Sequence, residues 1–365
     1  MEETRHTFGN GLILSGMLTV ILTVIFFFGM PYLLKLMNTP EDIYENALTY
    51  IRIISIGIAA QMLYGFMAET LRAIGNSKVP LYFLILSSVL NILLDLLFII
   101  PLGLGVRGAA LATIISQGIS GLLAFGYIWI KVPFLRLKKQ DFYLKKEIVT
   151  KELSMGLPIS MQYVITYSGM MFIQTSLNLL GTTYIIAYTA AVKVLLFLEQ
   201  GPIAIGTAMA TYSAQNKGAG NIPRIKQGVR ASTIIMIAFF AIAGTFAACF
   251  GKYVTYLFVN DHPETVIGSV DLFLKIVGST GILLGFLCIY RNTVQGMGYG
   301  IVSVIGGIIE LFSRIFIAAL TAYFHTFPIV CLGYPTAWLF STLFFILLYL
   351  HIMKKTPAYT TRRTL

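Results

Sequence analysis

The run FGMPYLLKLMN at residues 28–38 returns as FGKYVTYLFVN at residues 250–260. The correspondence continues outward from it. Gly29 falls near Gly251, Asn38 near Asn260, Arg52 on Lys275 and Gly75 on Gly298, an offset of about 223 residues. The matched residues sit in apolar segments of similar length, so the chain reads as a duplicated bundle of helices, which is a pattern of secondary transporters. At this offset Met1 pairs with about Arg224, whereas the second copy begins near Lys151. The first copy is therefore expected to lack its opening two helices.

Composition places the bundle in a membrane. Of 365 residues 57% are hydrophobic and 11% charged, about half the charge of a typical soluble domain, and the mean hydropathy is +0.82. The net charge of +11 lies in short loops and forms no basic face, so nucleic acid is not an expected partner. Cys249, Cys288 and Cys331 lie in or beside apolar runs without metal-like spacing and read as small core residues. No cluster of His, Cys, Asp or Glu has the spacing of a catalytic or metal centre, so no enzyme and no cofactor are expected.

A bilayer core of about 30 Å needs around 20 helical residues. Ten segments reach that length, near 11–36, 46–74, 79–101, 106–131, 154–180, 184–213, 228–258, 266–294, 301–325 and 329–353. Basic residues crowd alternate connections: Arg72 and Lys78, Lys131 to Lys151, Lys217 to Arg230, and Lys354 to Arg363. The intervening loops carry Glu41, Asp42 and Glu45, or Asp261 and Glu264. The positive-inside rule then puts both termini in the cytoplasm of a multi-pass protein of the cell membrane. The expected domains are a four-helix partial lobe at 1–131, a cytoplasmic connector at 132–153, a six-helix lobe at 154–353 and a tail at 354–365. With the gap restored each copy has an even helix count, so the lobes share one orientation about an axis along the membrane normal, and a substrate cavity is expected between them. The stretch from Lys131 to Glu152, with seven Lys or Arg and three acids, reads as a solvated connector, with anionic lipid binding as the sharper alternative.

Several runs carry a family resemblance: MATYSAQNKGAGN at 209–221, LRAIGNSKVP at 71–80, NILLD at 91–95, VRGAALAT at 106–113, MGLP at 155–158, YRNTVQGMG at 290–298 and ELFSR at 310–314. Together they resemble stretches of the multidrug and toxic compound extrusion (MATE) family, helices three to twelve of its twelve-helix plan. The resemblance implies an all-α, two-lobed antiporter that couples Na⁺ or H⁺ movement to export of amphipathic, often cationic small molecules by alternating access, acting as a monomer among membrane lipids. The alternatives are a lipid-linked precursor flippase of the same superfamily, which would favour a cationic cavity, and a truncated, non-transporting remnant. Family coupling acids do not transfer directly. The 154–180 span has Gln162, Gln174 and Asn178 but no carboxylate, and the 266–294 span has only Asp271, near its outer end.

Ionisable groups inside hydrocarbon are costly and mark candidate sites. Glu310 lies about 14 Å from the cytoplasmic end of its span, and Arg314, four residues on, shares its face. Glu199 and Lys193 are six apart and point to different faces. Glu199 is a candidate for an organic cation or Na⁺. Asp95 lies in the outer third of its span, with Asn91 one turn away. Tyr163 and Tyr167, four apart, form an aromatic pair beside Gln174 that suits a flat cation. Arg291 near a helix end is expected to snorkel to water. Substrate or cation contact is thus assigned to Glu199, Glu310, Asp95, Gln162, Gln174, Tyr163 and Tyr167, and structural or gating roles to Arg314, Lys193, Arg291 and Asn91.

Overall fold

The computed structural model describes residues 2–36, 41–258 and 263–355. Asn38, Asn260 and Asp261, and the tail from residue 356 that holds Arg363, lie outside them. The described residues form helices joined by short turns: α1 (Glu2–Leu36), α2 (Glu41–Ala73), α3 (Lys78–Ile99), α4 (Gly105–Lys131), α5 (Lys146–Asn178), α6 (Thr182–Gly218), α7 (Ile222–Phe239), α8 (Thr245–Phe250), α9 (Thr255–Phe258), α10 (Ile267–Thr280), α11 (Ile282–Gly296), α12 (Val302–Phe324), α13 (Phe327–Cys331) and α14 (Gly333–Lys355). Chain contacts divide them into two compact units, Met1–Glu152 and Leu153–Leu365.

Among the described residues eight helical segments are long and apolar enough to cross a bilayer, and α10 with α11, bent by 45°, makes a ninth. The expected tenth is α5, which has the length at 33 residues but a more polar composition. The 266–294 segment, expected as one span, turns at Gly281. The seventh span starts earlier than expected and is interrupted by a π-helical turn at Phe240–Gly244, an extra residue per turn that local packing must accommodate. Here Gly244 and Gly278 let two helices approach: a Cβ on either would lie 2.6 or 2.7 Å from the other's carbonyl oxygen.

The duplication is visible in backbone geometry. Gly75 and Gly298 both have φ +88°. At the end of α2, Gly75 N–H donates to Arg72 O and Asn76 N–H to Leu71 O; at the end of α11, Gly298 N–H donates to Gln295 O and Tyr299 N–H to Val294 O. These are Schellman caps 223 residues apart, satisfying the last carbonyls of each helix with a left-handed residue that glycine adopts without Cβ strain. Gly220, at φ +71°, closes α6 in the same way through Asn221 N–H to Asn216 O. Gly75→Ala and Gly298→Ala are each expected to cost about 1 kcal/mol, read as a lower midpoint in thermal unfolding in detergent. Equal midpoints for wild type and both variants would remove the caps from the fold's stabilising features.

In the first unit α4 lies along α2 on small residues. A Cβ at Gly121 would come within 2.9 Å of the Tyr64 amide nitrogen, and one at Gly118 within 3.5 Å of Ala60. Close backbone approach replaces the hydrophobic drive that is absent between helices in lipid. The outward faces of α1 and α3 carry exposed Val20, Ile21, Ile25, Leu93 and Leu96, whereas Ser116, Ser120 and Asn10 are buried. Such an inside-out distribution suits an apolar solvent.

The connector differs from expectation. Residues 133–142 form two 3₁₀ turns, Pro133–Leu135 and Lys139–Phe142, and they dock on α1. Leu135 and Asp141 are buried; Arg5 Nε donates to Asp141 Oδ2 at 2.6 Å, and Asn10 binds both Tyr143 O and the Lys145 N–H. Its charge composition suggested solvation, but the acid that matters is turned inward against a cation 136 residues away. Cys249 also departs from expectation: it is exposed, while Cys288 and Cys331 are buried as expected, and all three are free thiols.

Candidate functional site

The second unit holds a buried ionic cluster built by three helices. Glu310, 3% exposed, accepts from Arg314 Nη2 at 3.2 Å on its own helix α12 and from Arg291 Nη1 of α11 at 3.4 Å. Arg314 reaches α5, donating through Nη1 to Thr166 O at 3.2 Å, and the Thr166 hydroxyl contacts Glu310 Oε2 at 3.4 Å. Glycines allow this proximity. A Cβ at Gly169 would lie 3.1 Å from Arg314 Cδ, and one at Gly307 would lie 3.2 Å from Gln162 O. Beside them Gln295 Nε2 donates to Gln162 Oε1 at 3.1 Å and to Ser303 Oγ at 2.8 Å, so Gln162 is committed within the bundle.

Arg291, expected to snorkel, instead has its guanidinium on Glu310 and only 13% side-chain exposure. Sequence spacing concealed that contact, because residues 291 and 310 lie on different helices. One carboxylate thus faces two guanidiniums. Glu199 of α6, half-buried, interacts electrostatically with both Arg314 and Glu310, and its side chain makes no hydrogen bond among the described residues. The four groups sum to zero when Glu199 is ionised and to +1 when it carries a proton or is matched by a bound monovalent cation. Lys193, on the other side of α6, is exposed.

The aromatic pair lies on the open face of α5. Tyr163 is 52% and Tyr167 63% exposed; Gln174, also exposed, hydrogen-bonds Asn178 at 3.0 Å. Thr166, between the two tyrosines in sequence, contacts Glu310, so this stretch of α5 borders the ionic cluster.

In the first unit Asn91 and Asp95 are half-buried, one turn apart on α3. Asn91 Nδ2 and Asp95 Oδ1 are shielded from solvent and have no hydrogen-bond partner, as is Gln117 Oε1 of the adjoining α4. Gln117 was not singled out in the sequence. Its place near the middle of the 106–131 span was the available signal, since a polar side chain at that depth in an apolar run is costly. Among the described residues no group of three His, Cys, Asp or Glu is placed to hold a metal ion.

These features accompany a family match. The MatE family profile matches residues 1–97 and 158–320, covering both copies of the repeat. The chain belongs to the MATE family. Its curated relatives include the probable multidrug resistance protein YpnP of Bacillus subtilis, 30% identical over 72% of this chain and 59% of the relative, and YoeA of the same organism, 27% identical over 97% and 78%. The chain thus spans little more than half of YpnP. Among solved structures, a MOP superfamily transporter from Pyrococcus furiosus superposes with a TM-score of 0.91 at 22% identity, covering 97% of this chain and 80% of that one. An outward-facing multidrug resistance MATE transporter gives 0.89 at 21% identity, covering 97% and 83%. At those identities the likeness establishes the fold. These relatives are multi-pass membrane transporters and not enzymes.

Proposed function

We propose that this MATE family chain is a cation-coupled antiporter that exports amphipathic, often cationic small molecules across the cell membrane, with both termini cytoplasmic. The observation that carries the coupling half of this reading is the unbalanced ionic cluster of the second unit. Its charge depends on whether Glu199 is neutralised, and a group whose neutralisation changes a buried network by a full charge is suited to exchange H⁺ or Na⁺ as its exposure alternates. Asp95 with Asn91 is the corresponding candidate in the first unit, where a cation would satisfy a shielded carboxylate oxygen. Tyr163 and Tyr167 offer ring faces to a flat organic cation.

The relatives' names, multidrug resistance and multidrug export proteins, support the substrate class. A lipid-precursor flippase would need free cations for a pyrophosphate, whereas Arg291 and Arg314 are spent on Glu310.

Reconstituted in vesicles with an imposed Na⁺ or H⁺ gradient, the protein is expected to move a cationic dye against its gradient. Glu199→Gln keeps size and hydrogen bonding, so abundance should hold while gradient-driven efflux falls about tenfold, the kinetic equivalent of ~1.4 kcal/mol. Undiminished efflux by Glu199→Gln under both gradients would eliminate it as the coupling group.

A further inference from the structure

A cavity of about 470 Å³ opens within the first unit, away from Asp95. Its walls are one face of α1 and one face of α2, its rim is the docked connector at Leu135, and its end is Glu152 at the start of α5. Phe8 and Phe66 form the aromatic wall, stacked with centroids 5.6 Å apart. Gly11 leaves the space above them: a Cβ there would lie 3.1 Å from the Phe66 ring and 3.3 Å from Glu152 Oε1.

The polar lining has one sign. Glu3, Glu69 and Glu152 line the cavity with no Lys or Arg among the lining residues. Glu69 already pairs with Arg72. Glu152 does not share that relief: its Oε2 is shielded from solvent without a hydrogen-bond partner. Glu152 as a whole is half-buried and pairs with no cation among the described residues, so the accessible edge of its carboxylate attracts positive charge from the cavity, and a cation with an apolar body would satisfy the acid and the aromatic wall at once. The volume falls in the range of small-molecule sites, roughly 300–1,000 Å³. An anionic lipid headgroup is disfavoured by the three acids.

We infer that this cavity is a binding site for monovalent organic cations with an apolar body, the charge held by Glu152 and the body by Phe8 and Phe66. On the topology proposed above it faces the cytoplasm, and there it would gather substrate for export; that role rests on the antiport reading, while the binding site does not.

The test is equilibrium dialysis of the full chain in phosphatidylglycerol nanodiscs, with empty discs as blank, against tetraphenylphosphonium and the neutral triphenylphosphine oxide. Glu152→Gln is expected to weaken tetraphenylphosphonium binding about tenfold and leave the oxide unchanged, which a merely structural role would not do. Thr7→Trp, at an exposed position on the cavity wall, should obstruct both probes. Unchanged phosphonium binding in Glu152→Gln and in Thr7→Trp overturns the inference. Efflux that persists in wild type while Glu152→Gln binds normally would sink this site and leave the antiport reading standing. Binding that Glu152→Gln abolishes in a chain unable to transport would do the reverse.

Discussion

Glu310→Gln is expected to strip most of the protein from the membrane, with the loss appearing as low abundance and aggregation on size exclusion. The side chain is 3% exposed and stands between Arg291 and Arg314. Glutamine keeps the shape and one acceptor but leaves two guanidiniums facing each other with only Glu199 to balance them. Breaking a buried pair by removing one partner costs about 3–5 kcal/mol, a large share of the roughly 5–15 kcal/mol that holds a typical domain.

The three-way contact also decides which second change rescues it. From α12 alone, exchanging the charges by Glu310→Arg with Arg314→Glu is the natural expectation. With Arg291 on Glu310 Oε1, the exchange sets two arginines together and should fail. Glu310→Gln with Arg314→Met should recover abundance, because it removes the more deeply buried cation, while Arg291, at 13% exposure, retains a route to water for its head group. Glu310→Gln at wild-type abundance, or recovery by the charge exchange, would show that Arg291 does not share this carboxylate in the membrane.

That contrast marks what the sequence could and could not convey. The repeat was legible because duplication leaves caps at fixed offsets, and Gly75 and Gly298 took up the same φ for the same mechanical reason. The Glu310–Arg314 pair was legible because four residues is one helical turn. Arg291 was not. Periodicity reports which face of a helix a residue occupies but not which face of another helix it meets, and the contact between Arg291 of α11 and Glu310 of α12 exists only once the folded chain sets those two faces together. The bend at Gly281 was hidden for a related reason, since a glycine in an apolar run is as compatible with tight packing as with a break. Asp95 and Asn91 stood out by their rarity in hydrocarbon, whereas their missing partners became apparent only once the atoms around them were placed.

The connector provides the other large effect. Asp141 is fully buried, and its Oδ2 accepts from Arg5 Nε at 2.6 Å and from the Lys138 N–H at 2.7 Å, with His6 Nδ1 3.3 Å from Oδ1 and Glu2 on the far side of that imidazole. Burial alone would raise its carboxyl pKa, but the Lys138 N–H and the Arg5 guanidinium, with His6 beside them, outweigh it and hold the group below its ordinary value of 3.8. A carboxyl lowered in the folded state stabilises that state above its unfolded pKa, and the contribution fades as pH falls through the folded value. The dock should therefore stay closed across pH 5–8 and should loosen only in acid below about pH 4. Asp141→Ala removes the acceptor of both bonds and is expected to cost about 3 kcal/mol locally, since bonds to charged groups contribute about 1.5–3 kcal/mol each. Residues 133–145 should then exchange amide hydrogens and admit protease at neutral pH, while α2 and α4, which close on each other at Gly118 and Gly121, keep their protection away from the end that Leu135 covers. Asp141→Asn, which can still accept from the Lys138 N–H, should fall between the two. Protection of residues 133–145 that is identical in wild type and Asp141→Ala would mean that Leu135 and the Asn10 bonds hold the connector without the ion pair.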